Sequence, residues 1–291
     1  MKTVAFLGPR NTYTHIAARR KFGDNAKYVP MHTFQVCNSV SNRDVDVGVL
    51  PIENNSAGFV ESTLDALYTT TKVKIVDEIY LPIHHQLMSK TKSLASIRRI
   101  YSHSQAFVQC RKTIDHLEQR LGHSFKRLIV ESTALGAEFA AQENDAAAIA
   151  SEEVAGRLNL NILAHDIEDR KDNTTRFWVL SRGGIPPPTG YDRTTLLLEL
   201  EHRPGTLGSL LNLFSQRNLN LGWIQTRPIG TEKRSKRWEY AFFLEYEGHI
   251  KDKNMVAVYN LLTTGKMGIQ RGGRAARLLG SYPNRLTPRN S

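Results

Sequence analysis

Apolar and polar positions alternate in two kinds of block along the first two thirds of the chain. Short apolar runs typical of strands are each followed by a stretch in which apolar residues recur at helical spacing. The predicted strand and helix pairs are TVAFLG with THIAARRKF, DVGVLPI with ESTLDALYTT, RRIYSH with QAFVQCRKTIDHLEQRLG, RLIVEST with ALGAEFAAQE, and AAAIAS with EEVAGRLN. This order predicts an α/β fold with parallel sheets covered on both faces.

The pattern breaks at SRGGIPPPTGYD, residues 181–192, where glycines and three successive prolines can continue neither a helix nor a central strand. We therefore predict one domain over residues 1–182, a linker over 183–193 and a second domain over 194–283. The second domain reads strand (TTLLLELEH), helix (TLGSLLNLFSQRN), two strands (LGWIQTRPI, RWEYAFFLEYEG), helix (NMVAVYNLLTTG) and strand (AARLLGSY). This βαββαβ order predicts a ferredoxin-like domain.

Charge and composition narrow the classes of function. The formal net charge is +11, and much of the excess lies in TEKRSKR (Thr231 to Arg237) and between Arg271 and Arg289. We interpret these as a solvated loop and a tail, and predict no nucleic-acid partner because aromatic residues do not alternate with the basic ones. No apolar run is long enough for a membrane span and the first apolar segment is too short for a secretory signal, which favours a cytoplasmic protein without a membrane partner. Cys37 and Cys110 lack metal-ligand or redox spacing, so no metal site is predicted.

The first candidate binding segment is GPRNTYTH, Gly8 to His15, between a predicted strand and a predicted helix. The N–H groups at a helix N-terminus, together with Thr12, Tyr13 and Thr14, suit a carboxylate or phosphate. An ordinary N-cap without a ligand explains the same residues, and this segment alone leaves both interpretations open.

Two further segments carry polar side chains at the carboxyl ends of strands, where open α/β sheets bind ligands. In PIENNSAG these are Glu53 and Asn54, and in YSHSQAFVQC they are Ser102, Gln105 and Gln109. Residues four apart share a helical face, so the two glutamines can point the same way. A polar turn and a solvent-facing helix are the alternatives.

The last two candidate segments are ESTALGAEF and DNTTRFWVL. Ser132 or Thr133 begins a helix, and capping competes with anion binding as the explanation. Thr175 and Arg176 enter a strand that is otherwise apolar. A buried arginine needs an acidic partner or an anionic ligand, so a structural ion pair and a substrate contact both remain possible.

Taken in order, GPRNTYTH, PIENNSAG, YSHSQAFVQC, EST, AAAIASEEVA and DNTTRF resemble the motif series of prephenate dehydratases, over nearly all of residues 3–180. The resemblance implies two α/β lobes like those of periplasmic binding proteins, an active site in the cleft between them, and an essential role for Thr175. The sequence departs from the family at Asn11, where glycine is common. Asparagine tolerates a left-handed backbone, so we expect the loop to keep its shape.

The second domain is similar to the ACT regulatory domain that follows many of these enzymes. RPGTL stands at the family's PGAL turn and TRP at its ESRP motif, with Gln225 and Thr226 in place of Glu-Ser. The resemblance implies an L-phenylalanine effector site and a homodimer or homotetramer with effector between ACT domains. The implied effector residues are Gly205, Thr206, Leu207, Gln225, Thr226, Arg227 and Pro228.

The reaction implied by the resemblance expels carbon dioxide and water from prephenate, a dicarboxylate with a ring hydroxyl, to give phenylpyruvate. Aromatisation supplies the driving force, so we expect neither a cofactor nor a metal.

The resemblance also suggests roles for the candidate residues. Thr175 is expected to donate a hydrogen bond to the departing hydroxyl. Arg176 and the amides near Thr12 to Thr14 are expected to anchor carboxylate, and the substrate is expected to be oriented by Asn54, Gln105 and Gln109. Glu53 is an acid or a structural partner. A decarboxylase that keeps the hydroxyl and a ligand-sensing protein of the same architecture are the alternatives, and no fused chorismate mutase is expected.

Overall fold

The computed structural model describes residues 1–200, 203–229, 239–264 and 276–286. The helices are α1 (Tyr13–Phe22), α2 (Thr33–Asn42), α3 (Glu61–Thr69), α4 (Ser104–Gln109), α5 (Arg111–Leu121), α6 (Thr133–Ala140), α7 (Glu152–Leu158), α8 (Thr206–Ser215) and α9 (Lys253–Thr263). The strands are β1 (Thr3–Leu7), β2 (Lys27–Met31), β3 (Val47–Asn54), β4 (Gly58–Phe59), β5 (Lys74–Pro82), β6 (Gln86–Ser89), β7 (Arg99–Ser102), β8 (Lys126–Ile129), β9 (Ala146–Ala150), β10 (Asn161–Ala164), β11 (Thr174–Ser181), β12 (Asp192–Glu199), β13 (Leu221–Ile229), β14 (Glu239–Glu247) and β15 (Ala276–Pro283).

The chain forms two compact units that interleave along the sequence. Unit 1 comprises Met1–Val36, Val49–Glu61 and Ile79–Phe177, and unit 2 comprises the remainder. These units do not follow the sequence-based division at residues 183–193, which stays a prediction.

Unit 1 contains two sheets, as the two-lobed prediction requires. In the first, strands lie in the order β11, β3, β1, β2, and the short β4 pairs with the end of β3. β1 and β2 are parallel. The residues of β3 up to Ile52 are all buried, which fits a central strand covered on both faces.

The second sheet of unit 1 has the order β10, β6, β9, β7, β8. Its central strand β9, AAAIA, is buried at every position, and alternate residues face different cores. Ala147 and Ile149 belong to the core that contains residues of α4 and α5, whereas Ala146, Ala148 and Ala150 belong to the core that contains residues of α6 and α7. Small side chains on β9 and α6 allow the helix to approach the sheet closely.

The structure confirms the α/β class but corrects two details. Only β7 pairs in parallel with its neighbours β8 and β9, whereas β6 is antiparallel to β9 and to β10, so the second sheet is mixed. The helix predicted to run from Gln105 past Cys110 is two helices, because Cys110 leaves helical geometry at φ −112° and ψ 14°. The pattern also missed α2 and strands β2, β4, β5, β6 and β10.

Unit 2 contains the predicted βαββαβ order, β12, α8, β13, β14, α9 and β15, which confirms the ferredoxin-like arrangement. The strands lie in the order β13, β14, β12, β15, and leucines of β12 pack with apolar residues of α8 and α9. β15 also pairs in parallel with β5 at Gly280 and Ile75. A Cβ at Gly280 would lie 2.2 Å from the carbonyl oxygen of Ile75, so only glycine permits this approach.

Within the described part of the chain, no helix is both long and apolar enough to cross a membrane. Cys37 and Cys110 are free, buried thiols. The basic loop Thr231 to Arg237 lies outside the described residues, as does the part of the basic tail outside residues 276–286. The predictions about them, and the predicted cytoplasmic location, stay predictions.

Candidate active site

A cavity of about 440 Å³ lies within unit 1, at the ends of several strands. The ends of β1 and β3 and the start of β11 contribute to its wall, and so do the first residues of α1, α4 and α6. The predicted site residues that line it are Thr12, Tyr13, Thr14, Asn54, Gln105, Gln109, Ser132, Thr133 and Thr175. The structure therefore brings together residues from all five candidate segments of the sequence.

Thr175 and Asn54 form the centre of the polar wall. Nδ2 of Asn54 donates to Oγ1 of Thr175 at 2.9 Å and to Oδ1 of Asn173 at 2.8 Å. Oδ1 of Asn54 accepts from the amide of Ser56 at 2.9 Å. Asn54 thus fixes the hydroxyl of Thr175 as an acceptor, which leaves the hydroxyl proton for another partner.

A second group of side chains extends this wall. Nε2 of Gln109 donates to Oδ1 of Asn54 at 3.2 Å, and Oε1 of Gln109 lies 2.8 Å from Nε2 of His85. Nδ1 of His85 lies 3.0 Å from the hydroxyl of Tyr13. Five polar side chains from different parts of the sequence are therefore joined in one hydrogen-bonded chain that ends at Thr175.

Three helices begin at the cavity, and the amides of a first helical turn have no acceptor within the helix. Thr12 and Ser132 act as N-caps, since their hydroxyls accept from the amides of His15 and Leu135. His103 caps α4 in the same way through its ring nitrogen. The capping interpretation of Thr12 and Ser132 is confirmed, and the uncapped amides remain as donors beside the cavity.

The side chains of Thr14, Gln105 and Thr133 differ from those of the caps. All three line the cavity, and no described residue forms a hydrogen bond with them. Their polar groups are available to a ligand, unlike those of Asn54 and Gln109, which hold one another in place.

The cavity wall carries no lysine or arginine among the described residues. Burial lowers the pKa of His103 and also that of His85, where burial is the largest of several influences on the pKa. Burial also raises the pKa of Tyr13 well above its ordinary value. The wall therefore offers neutral donors and helix N-termini, while Glu131 is its only carboxylate within the described part of the chain.

The expected role of Arg176 as a carboxylate anchor is corrected by its placement. Successive residues of a strand point to opposite faces, so Thr175 and Phe177 line the cavity and Arg176 does not. Arg176 is almost completely buried, forms an ion pair with Glu53 at 3.0 Å and lies over the ring of Tyr80. Of the two roles considered for Glu53, that of structural partner fits this contact.

Ser102 was expected to contact substrate, and its placement corrects that expectation as well. Its side chain is completely buried, does not line the cavity, and donates to the carbonyl oxygen of Ile149 at 2.7 Å. The serine therefore forms a hydrogen bond between β7 and β9 within the second sheet.

Ser102→Ala should therefore lower the free energy of unfolding by about 1 kcal/mol, because a buried hydrogen bond is lost. The KM for substrate should stay unchanged. Urea unfolding and steady-state kinetics measure the two quantities. A large rise in KM at unchanged stability would restore the binding role.

Sequence reasoning missed His85 and Asn173. His85 follows β5, a strand that the hydrophobic pattern did not reveal, so the pair of histidines in IHHQLM was not placed at a strand end. Asn173 directly precedes Thr174 and is buried, and its side-chain oxygen Oδ1 accepts from Nδ2 of Asn54. The polar run DNTT was visible in the sequence, but the sequence did not indicate which of its first residues would be buried.

One group of potential metal ligands occurs in the described residues, namely His84, Asp166 and Glu168. Nδ1 of His84 lies 3.0 Å from Oε1 of Glu168, and the other carboxylate oxygen accepts from the amide of His85 at 2.8 Å. Both oxygens of Glu168 are thus already engaged in holding the segment that carries His85.

The expected effector residues lie on two elements of unit 2. Gly205 caps α8 in a left-handed conformation at φ 85°, buried Thr206 donates to the carbonyl oxygen of Arg203, and Leu207 is exposed. Gln225, Thr226, Arg227 and Pro228 lie on β13. Arg227 forms a bidentate ion pair with Asp65 of α3, both bonds 2.8 Å. Their role in effector binding stays a prediction.

The chain is similar to known proteins along most of its length. The family model described as "Prephenate dehydratase" matches residues 4–184. The bifunctional chorismate mutase/prephenate dehydratase of Aquifex aeolicus is 38% identical over 97% of this chain and 74% of its own length. Arogenate dehydratase/prephenate dehydratase 2 of Arabidopsis thaliana is 34% identical over 96% of this chain and 72% of its own length. The crystal structure of the Arthrobacter aurescens prephenate dehydratase in complex with L-Phe has a TM-score of 0.84 at 33% identity, covering 97% of this chain and 90% of that chain.

Fold and cavity define an α/β protein with a cavity for a small ligand, lined by neutral donors and helix N-termini. The match to the family model and the sequence identities determine the family. The chain belongs to the prephenate dehydratase family, and it is a carbon–oxygen lyase of aromatic amino acid biosynthesis.

Proposed function

We propose that the cavity of unit 1 binds prephenate and converts it to phenylpyruvate, carbon dioxide and water. Loss of the ring carboxylate as carbon dioxide leaves an electron pair that moves into the ring and expels the ring hydroxyl as water after protonation. The observation that carries the proposal is the hydrogen bond from Asn54 to Oγ1 of Thr175 at 2.9 Å, because a hydroxyl that accepts from Asn54 keeps its own proton for a ligand. A donor positioned at the departing oxygen stabilises charge as the C–O bond breaks.

Carboxylates of the substrate are proposed to bind at the helix N-termini. The first-turn amides of α1 and α6 that Thr12 and Ser132 do not cap offer donors without a described protein partner, as do the hydroxyls of Thr14 and Thr133. Helix N-termini attract anions through their partial positive charge. Gln105 is proposed to orient the substrate, while Asn54 and Gln109 hold Thr175.

Residues 194–283 are proposed to form an ACT regulatory domain that binds L-phenylalanine, with Gly205 to Leu207 and Gln225 to Pro228 as the effector segments. The ferredoxin-like order and the L-Phe complex of the Arthrobacter aurescens relative support this proposal. A homodimer or homotetramer with effector between ACT domains is proposed with it. Analytical ultracentrifugation with and without phenylalanine tests both statements.

The activity is tested by incubating the protein separately with prephenate and with arogenate and following the ultraviolet absorbance and mass of the product. The proposal expects aromatic keto acid from prephenate. A non-aromatic product that retains the hydroxyl would instead identify a decarboxylase, and saturable binding without turnover would identify a ligand sensor. Phenylalanine added to the same assay shows the sign of any regulation.

A further inference from the structure

The hydrogen-bonded chain from Tyr13 to Thr175 contains two carboxamides and an imidazole, each with a donor end and an acceptor end. The neighbouring donors and acceptors determine the orientation of each carboxamide and the protonated nitrogen of the imidazole. This determination needs one member of the chain that is held by groups able only to donate or only to accept. Backbone amides only donate and backbone carbonyls only accept, so they provide such a reference.

Asn54 is fixed by the backbone on both of its ends. The amide of Ser56 lies 2.9 Å from one end, which must therefore be the oxygen Oδ1. The carbonyl oxygen of Thr174 lies 3.2 Å from the other end, which must be the nitrogen Nδ2. The orientation of this side chain is thus determined without reference to any other side chain.

The orientation of Gln109 follows from that of Asn54. The end of Gln109 that lies 3.2 Å from Oδ1 of Asn54 has to donate, so it is Nε2. The acceptor Oε1 then faces His85 at 2.8 Å, and Nε2 of His85 has to carry a proton. A lone pair on that nitrogen would face the lone pairs of Oε1, and rotating Gln109 would place two oxygens against each other at Asn54.

The other ring nitrogen of His85 lies 3.0 Å from the hydroxyl of Tyr13. Above the ordinary pKa of histidine the imidazole is neutral, so one ring nitrogen is unprotonated, and because Nε2 carries the proton this nitrogen is Nδ1. Tyr13 can then donate to it, and the carbonyl oxygen of His84, 2.8 Å from the same hydroxyl, is a second acceptor. Glu168 holds the backbone of His85 through the 2.8 Å bond from its amide.

We propose that His85 is a positioning residue for the dehydratase reaction, held with its proton on Nε2 and its lone pair on Nδ1. The hydrogen bonds from Tyr13 through Gln109 and Asn54 to Thr175 require this tautomer, and the Nε2–H group of His85 keeps Gln109 in the orientation that donates to Asn54. The last bond makes Oγ1 of Thr175 an acceptor and turns its proton toward the cavity. The inference rests on the proposed function for its catalytic consequence, but the tautomer itself is a property of the protein without substrate.

The tautomer is measured by nitrogen NMR on protein labelled in histidine, without substrate, at about pH 8, above the ordinary histidine pKa. The signals of His85 are assigned by their loss in His85→Gln, with exposed His116 and the variant His116→Gln as a reference. The inference expects a protonated Nε2 and an unprotonated Nδ1. A proton on Nδ1 alone, or on both nitrogens, overturns it.

Kinetics test the consequence for turnover. His85→Gln keeps a donor near the position of Nε2 and should retain kcat within about tenfold, whereas His85→Leu keeps bulk without a donor and should lose about 10² in kcat. KM should change little in both, because neither variant alters a proposed substrate contact. Equal kcat values for the two variants, with equal thermal unfolding midpoints, would overturn the positioning role. Failure of the unaltered protein to convert prephenate would refute the proposed function, while the NMR result still decided the tautomer.

Discussion

Thr175→Val is expected to lose about 10²–10³ in kcat while the protein remains folded. Valine has nearly the shape of threonine, so the strand β11 and its packing should be preserved. The variant lacks the hydroxyl that accepts from Asn54 at 2.9 Å and that is proposed to donate to the departing oxygen. Steady-state kinetics with prephenate measure the loss, and circular dichroism checks the fold.

Thr174→Val is the matched control for this variant. Thr174 is the neighbouring threonine, its hydroxyl donates to the carbonyl oxygen of Asp172 at 3.2 Å, and it does not line the cavity. The control should keep kcat close to that of the unaltered protein. Near-normal turnover of Thr175→Val, or an equal loss in both variants, would remove Thr175 from the proposed mechanism.

Asn54→Asp is expected to lower kcat by a similar factor, about 10²–10³. The substitution conserves shape but replaces the donor Nδ2 by an acceptor oxygen. Thr175 would then donate its proton to the new carboxylate, and the added negative charge would repel a dianionic substrate. KM should therefore rise in addition to the fall in kcat.

Asn55→Asp separates the two effects, because it adds the same charge one residue away from Asn54 and outside the cavity wall, and the Nδ2 donor that it replaces bonds to the carbonyl oxygen of Asp172 at 2.6 Å rather than to Thr175. It should leave kcat almost unchanged. The comparison is made by measuring kcat and KM of both variants across a range of salt concentrations, since screening weakens charge repulsion but does not restore the lost donor. Recovery of kcat in Asn54→Asp at high salt would show that charge alone, rather than the direction of the hydrogen bond, caused the loss.

The sequence allowed the fold class and most of the cavity to be predicted. Long apolar runs such as β3 and β9 are visible because burial on both faces removes polar residues. Strands β2 and β5 were missed because partly exposed and charged residues interrupt their apolar positions. Antiparallel pairing of β6 with β9 depends on contacts far apart in sequence, which no local pattern contains.

The site shows the same division between local and distant information. Thr175 was predicted from its motif, and the alternation of strand residues already implied that Arg176 would face the opposite side. Asn11 has the left-handed φ of 69° that its place in the first loop led us to expect. The bonds of His85 with Tyr13 and Gln109 join residues 72 and 24 positions apart, so its role required the folded structure.

The most direct test is a crystal structure of the protein with a prephenate analogue whose saturated ring keeps both carboxylates and the hydroxyl but cannot aromatise. The measured quantity is the distance from Oγ1 of Thr175 to the hydroxyl oxygen of the analogue. We predict a hydrogen bond of about 2.6–3.2 Å, with carboxylate at the first turn of α1 or α6. An analogue bound in the cavity with its hydroxyl turned away from Thr175, or bound elsewhere on the protein, would contradict the account.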